Sequence, residues 1–251
     1  MTATSEPVDI QVGDDQIAGT FLTPQSKIPG VLFVHGWGGS QESDLARARG
    51  IAGLGCICLT FDLRGHARTV AQKEQVTREH NLKDLCAAYD LLAEHPSIDP
   101  GAIAVVGSSY GGYLASILTG LRTVRWLALQ VPALYRDEGW SLPKGKLNRE
   151  QLQAYRRERV TADGNRALSA CSQFSGDVLI VESEHDHLIP HETIMSYRNA
   201  FVSSHSLTHR IIDGADHALT GKNDQDAYTS ILVSWVTEMV VGARVGDSPQ
   251  R

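Results

Sequence analysis

Along the chain, short and almost wholly apolar runs alternate with longer stretches in which apolar residues recur at helical spacing. Residues 30–34, 56–61, 102–106, 124–131 and 177–181 read as strands, and their lack of a polar face predicts helices on both sides of the sheet. A further strand is predicted over 207–212. The start of the chain differs. Residues 8–12 alternate, 17–22 form a second short strand, and Gly13-Asp14-Asp15 joins them, which predicts an antiparallel hairpin at a sheet edge. Between the strands the spacing predicts helices over 44–53, 110–120, 148–160, 191–202 and 224–240. Two more are predicted by their caps: one from Asn81 to about His95, stopping before Pro96, and one from Asp163 to Cys171. This alternation predicts an α/β fold, a mostly parallel sheet flanked by helices, whose functional loops gather at the carboxyl ends of the strands.

Residues 132–176 break the rhythm. The stretch is polar and basic, with Lys144, Lys146, Arg149, Arg156, Arg157, Arg159 and Arg166 among fewer acids, and reads as a short helical cap inserted into a single domain spanning 1–251. Trp140 and Tyr155 are its candidate substrate contacts. The tail after residue 242, with Gly, Asp, Ser, Pro and Gln, reads as loose.

Composition narrows the class. With 251 residues, 42% of them hydrophobic and 21% charged, the chain can bury a core without disulfides or a structural metal. A net charge of −6 argues against general binding to nucleic acid or to an anionic membrane. No apolar run is long enough to span a bilayer, and residues 1–7 lack the basic and apolar regions of a signal peptide. Cys56 and Cys58 lie two apart in a strand and read as core residues; with Cys86 and Cys171 they show no metal spacing, and a cytoplasmic setting is expected.

The chemistry centres on Gly107-Ser108-Ser109-Tyr110-Gly111, in which an apolar strand passes directly into a helix. The frame G-x-S-x-G fits a nucleophile elbow, a sharp turn that needs neighbours without Cβ atoms and lifts a serine clear of the sheet. Ser109 is the nucleophile in this frame and Ser108 the competing hydroxyl. A serine needs a base, and the base an orienting carboxylate; in elbow proteins the chain order is serine, acid, histidine. Asp186 and His217 stand after the last two strands in that order, with Glu184 as the rival acid. Developing negative charge would be met by the amide of Tyr110 and by that of Trp37, in the glycine-rich loop after residue 34. Trp37 also offers its indole as a pocket wall. His185, His187 and His191 resemble a metal cluster but lack a further ligand source, so no metal is expected. His205 and His209 read as strand-surface residues, and Asp213 and Asp216 as loop-shaping ones. Gly221-Lys222-Asn223 fails as a phosphate loop, and no G-x-G-x-x-G follows a strand.

Together, His35-Gly36-Trp37-Gly38-Gly39, Asp62-Leu63-Arg64-Gly65-His66, the elbow, and the Asp186 and His217 loops resemble the alpha/beta-hydrolase superfamily from about residue 8 to 240. Ala67 and Ser183 depart from it, at positions where the family often has glycine. The resemblance implies an alpha/beta-hydrolase fold with Ser109 as nucleophile, Asp186 as acid, His217 as base, and the amides of Trp37 and Tyr110 as oxyanion hole. It further implies hydrolysis of a small carboxylic ester through an acyl-serine, without a cofactor, on a small-molecule acyl substrate; a monomer or homodimer is expected. A serine peptidase or an acyl-thioesterase would use the same groups. A hydrolase-like binding module without catalysis is the alternative from another class.

Overall fold

The computed structural model describes residues 3–12, 15–24 and 27–246, with side chains over 27–242. Eight strands and seven α-helices follow one another in these residues. They are β1 (Ala3–Val12), β2 (Asp15–Pro24), β3 (Ile28–Val34), α1 (Glu42–Ala52), β4 (Ile57–Thr60), α2 (Arg78–Ala93), β5 (Ile98–Ser108), α3 (Tyr110–Leu118) and β6 (Trp126–Gln130). After them come α4 (Arg149–Arg156), α5 (Arg166–Gln173), β7 (Asp177–Ser183), α6 (His191–Ala200), β8 (Ser206–Ile212) and α7 (Lys222–Gly246).

Strands β3 to β8 form one parallel sheet in the order β4-β3-β5-β6-β7-β8. The chain goes to one side of β3 to make β4, then returns to the other side for β5. The switch point, where successive loops leave in opposite directions and open a crevice, therefore lies between the carboxyl ends of β3 and β5. Strands β1 and β2 pair only with each other, Ile10 opposite Ile17, so the expected hairpin forms a separate two-stranded sheet rather than the edge of the large one. Its turn, Gly13-Asp14, lies outside the described residues.

Alternate residues of each strand feed two cores. Val31, Phe33, Ala104, Val106 and Ala128 face α1 and α7. Leu32, Val34, Ile103, Val105, Leu127 and Leu129 face the layer of α2, α3, α5 and α6. Helix α5 packs between α3 and α6 through Ala167, Leu168 and Cys171, all buried. No helix among the described residues is long and apolar enough to cross a membrane.

Several boundaries differ from the sequence reading, each for a local reason. Helix α2 starts at Arg78, with Thr77 as cap: its hydroxyl accepts from the His80 amide, and the His80 ring accepts from the Thr77 amide. Asn81, expected as that cap, sits fully buried inside the helix. Asn165, not Asp163, caps α5, accepting from the amides of Ala167 and Leu168. Helix α4 ends at Arg156, short of residue 160. Helix α7 runs to Gly246, into the stretch after residue 242 expected to be loose, of which residues 247–251 lie outside the described ones.

Candidate active site

The elbow is built by close approach of backbone to backbone. Ser109 joins β5 to α3 with φ 49° and ψ −111°, a conformation that L-residues rarely adopt. A Cβ on Gly107 would lie 2.7 Å from Gly111 O, and one on Gly111 would lie 2.1 Å from Val34 O, so neither position has room for a side chain. A Cβ on Gly112 would lie 3.1 Å from Pro132 Cβ. With the strand, helix and β3 terminus this close, the serine has one orientation. Its amide donates to Gln130 O at 2.8 Å and its carbonyl accepts from Ala133 N at 2.9 Å.

The neighbouring strands β7 and β8 bring their loops to the same edge. His217 Nε2 lies 3.0 Å from Ser109 Oγ, and Nδ1 lies 2.6 Å from Asp186 Oδ2. Since a carboxylate only accepts, Nδ1 carries the imidazole proton and Nε2 turns its lone pair to the serine hydroxyl. The other oxygen, Asp186 Oδ1, accepts from the amides of Leu188 at 2.7 Å and Ile189 at 2.8 Å. The Asp186 side chain is 2% exposed and that of His217 21%, so the carboxylate lies behind the imidazole, away from solvent. Glu184, the rival acid, turns elsewhere and accepts from Gly214 N. Asp216 accepts from Ala218 N, Thr220 N and Thr220 Oγ1, which shapes the His217 loop.

The loop after β3 passes over the serine. A Cβ on Gly36 would lie 3.3 Å from Ser109 Cβ and 4.0 Å from its Oγ. Beside it are the amides of Trp37 and, at the N-terminus of α3, Tyr110; neither finds a protein acceptor among the described residues. Two buried histidines hold this loop. His35 Nε2 accepts from Leu63 N at 3.0 Å while Nδ1–H donates to Gly36 O. His66 Nε2 accepts from Gly38 N at 3.0 Å, and its Nδ1–H faces the carbonyls of Leu63 and Arg64. Burial lowers both pKa values, which favours the neutral rings that this pattern requires. The two sequence motifs at 35–39 and 62–66 are thus one structural unit. Ala67, where the resemblance led to an expectation of glycine, adopts φ 43° all the same.

The remaining candidates scatter. His191 Nδ1 and His209 Nε2 lie 2.8 and 3.0 Å from opposite oxygens of the buried Glu182, while His185 is exposed beside Glu184. Among the described residues no three His, Cys, Asp or Glu side chains are grouped as a metal would require. Tyr155 is buried, with its hydroxyl accepting from Asn165 and its ring under Arg136; Trp140 lies against Arg166 and Arg78. Trp37 meets Tyr110 and His66 edge-on and carries the Lys144 ammonium 4.1 Å from its ring centroid. The sequence reading named Lys144 and Arg156 only as part of a basic cap and did not name the buried Arg78, because basic residues among polar ones look like a solvated face.

A model of the alpha/beta hydrolase family matches residues 31–228. The chain belongs to the alpha/beta hydrolase family. Among solved structures, that of the metagenome-derived lipolytic enzymes LipS and LipT is 21% identical, covering 85% of this chain and 94% of its own, with a TM-score of 0.66. Est1E from Butyrivibrio proteoclasticus, bound to ferulic acid, is 14% identical over 95% of this chain and 96% of its own, with a TM-score of 0.65. Dienelactone hydrolase from Anabaena variabilis is 18% identical over 94% and 97%, with a TM-score of 0.58. At these identities the likeness is one of fold. No curated protein matches in sequence.

Proposed function

We propose that this hydrolase cleaves a small carboxylic ester through an acyl-serine intermediate. The observation that carries the reading is the continuous chain Ser109 Oγ–His217–Asp186, at 3.0 and 2.6 Å. As the Ser109 oxygen bonds to the ester carbonyl carbon, its proton passes to His217 Nε2, and Asp186 stabilises the imidazolium without taking a proton. The carbonyl oxygen, now anionic, receives the amides of Trp37 and Tyr110; each such donor contributes about 3 kcal/mol in the transition state. Collapse breaks the bond to the alkoxy group, which leaves with the proton from Nε2. Water then repeats the sequence in reverse, freeing the acid and Ser109. The lipolytic and esterase fold relatives support the ester as the bond attacked.

A fluorophosphonate probe and matched esters, amides and thioesters, applied to wild type and Ser109→Ala, test this reading. Rapid labelling and ester turnover in wild type, both lost in Ser109→Ala, are expected. Turnover that survives Ser109→Ala but not Ser108→Ala would overturn the assignment of the nucleophile, and an unlabelled, inert wild type would overturn the reading itself.

A further inference from the structure

Ester cleavage by the groups above makes no use of three cations gathered around one tyrosine ring. The Tyr135 centroid lies 5.0 Å from the Arg156 guanidinium, 5.4 Å from the Lys144 ammonium and 5.6 Å from the Arg78 guanidinium. Lys144 also reaches the rings of Trp37 at 4.1 Å and Tyr110 at 4.9 Å, the two residues whose amides flank Ser109. Its backbone is pinned where it enters the cluster: Lys144 N donates to Val76 O at 2.9 Å, next to the bridge between Thr77 and Pro143.

Several half-buried cations elsewhere have a carboxylate partner, as in Arg64–Asp84, Arg122–Asp90 and Arg166–Asp137. Among the described residues no carboxylate makes an ion pair with Arg78, Lys144 or Arg156; of the acids around them, Asp84 and Asp137 pair with Arg64 and Arg166, Glu74 lies beside Gly145, and Glu138 is in the adjoining cavity wall. Arg78, 1% exposed, donates to the carbonyls of Arg136 and Glu138, and its Nε is buried without a partner. Arg156 donates to the carbonyls of Leu134 and Leu188. Burial, then the charges of Arg156, Arg78, Lys73 and Arg149, pull the Lys144 pKa down to about 7. In a chain of net charge −6 this concentration of positive charge is local. Like charges held together out of water are unfavourable until an anion joins them.

We infer that the substrate carries a free carboxylate, received by Lys144 in the field of Arg78 and Arg156 while the ester carbonyl lies at Ser109. The inference rests on the serine-hydrolase reading and names its substrate class: the half-ester of a dicarboxylic acid. Trp37 and Tyr110 join the two subsites, since each lends its amide to one and its ring to the other. A cavity of about 330 Å³ opens on the Arg78 and Tyr135 side of the cluster, with Arg136 and Lys146 also in its wall.

The test compares 4-nitrophenyl hemiglutarate with the uncharged 4-nitrophenyl valerate in wild type, Lys144→Met and Lys144→Arg. A charge-assisted hydrogen bond predicts that the ratio of the two kcat/KM values falls about tenfold to a hundredfold in Lys144→Met and is partly kept in Lys144→Arg. Calorimetry with glutarate on Ser109→Ala reads the same subsite without turnover; binding there, and its loss when Lys144→Met is added, are expected. Equal falls for both esters with an unchanged ratio would make Lys144 a strut between segments and overturn the inference, as would absence of glutarate binding to Ser109→Ala. If glutarate binds through Lys144 while wild type cleaves neither ester, the subsite stands and the hydrolase reading fails.

Discussion

The His66 imidazole accepts a hydrogen bond from the Gly38 amide at 3.0 Å, so a residue after β4 sets the shape of the loop after β3. His35 returns the tie by accepting from Leu63 N. The loop that offers the Trp37 amide is therefore braced by two neutral rings in T-shaped contact, their centroids 4.9 Å apart.

His66→Phe removes the acceptor and leaves the Gly38 amide unpaired. If the loop's amides meet charge that develops in the transition state, as in the proposed reaction, kcat for an ester is expected to fall about tenfold to a hundredfold with KM little changed. Steady-state kinetics on a variant with native circular dichroism checks this. A rise in KM alone would mean that the loop serves binding rather than the transition state.

The same rings fix a pH dependence. Burial lowers their folded pKa values, so between those values and the ordinary imidazole value the unfolded chain binds more protons. Stability is thus present above about pH 6.5 and is lost as the pH falls below it. His66→Gln keeps an acceptor for Gly38 but cannot titrate. The Tm gap between it and wild type is expected to shift in favour of the variant as the pH is lowered from about 7.5 to 5.

Gly111→Ala and Gly36→Ala separate folding from chemistry. At Gly111 the new methyl would meet Val34 O at 2.1 Å, a backbone atom that cannot turn away, and a loss of about 3 kcal/mol or more is expected. At Gly36 the nearest atom is Ser109 Cβ at 3.3 Å, so the fold should survive while the serine is crowded. Thermal melts and ester turnover measured side by side should show a lowered Tm in the first and lost activity at near-native Tm in the second.

Asp186→Asn is expected to cost about four orders of magnitude in kcat, since an amide facing Nδ1 favours the wrong imidazole tautomer. Glu184→Gln should keep most activity, because Glu184 faces Gly214 and not His217. Equal damage from both substitutions would make Glu184 part of the machinery.

Asp44, buried in the first turn of α1, has its pKa raised to about 6 because desolvation outweighs the contact with Arg47 at 3.2 Å. A raised carboxyl is most compatible with folding below its unfolded value and loses stability as the pH rises through about 6. Asp44→Asn should therefore be at its most stable relative to wild type above about pH 7, by on the order of 2 kcal/mol, with the gap closing toward about pH 4. Chemical unfolding at the two pH values measures it.

The strands and the Ser109, Asp186 and His217 loops were legible because each is specified locally: an apolar run, a turn residue, a position after a strand. What escaped depends on distant partners. Asn81 has the chemistry of a cap, but Arg64 O, Asp84 and the Tyr110 hydroxyl draw it inside α2. Thr77 caps through His80, where a capping box ordinarily shows Glu or Gln, so its signal was weak. Arg78 and Arg156 look like surface cations because the carbonyls that receive them belong to residues 22 to 60 positions away. Spacing carries no record of such pairings.

The sheet also divides the molecule by tolerance to change. The side chains of Ser109, His217, Asp186 and the cation cluster lie at the loop edge or on the α2 and α3 side, whereas Val31, Phe33, Ala104 and Val106 pack toward α1 and α7. Volume-conserving exchanges in that second layer alter stability while the β5 backbone keeps Ser109 in place. A library confined to the contacts of α1 and α7 can therefore explore thermal robustness, whereas one over residues 132–156 would also disturb the core through Ala133, Leu134, Tyr135 and Tyr155.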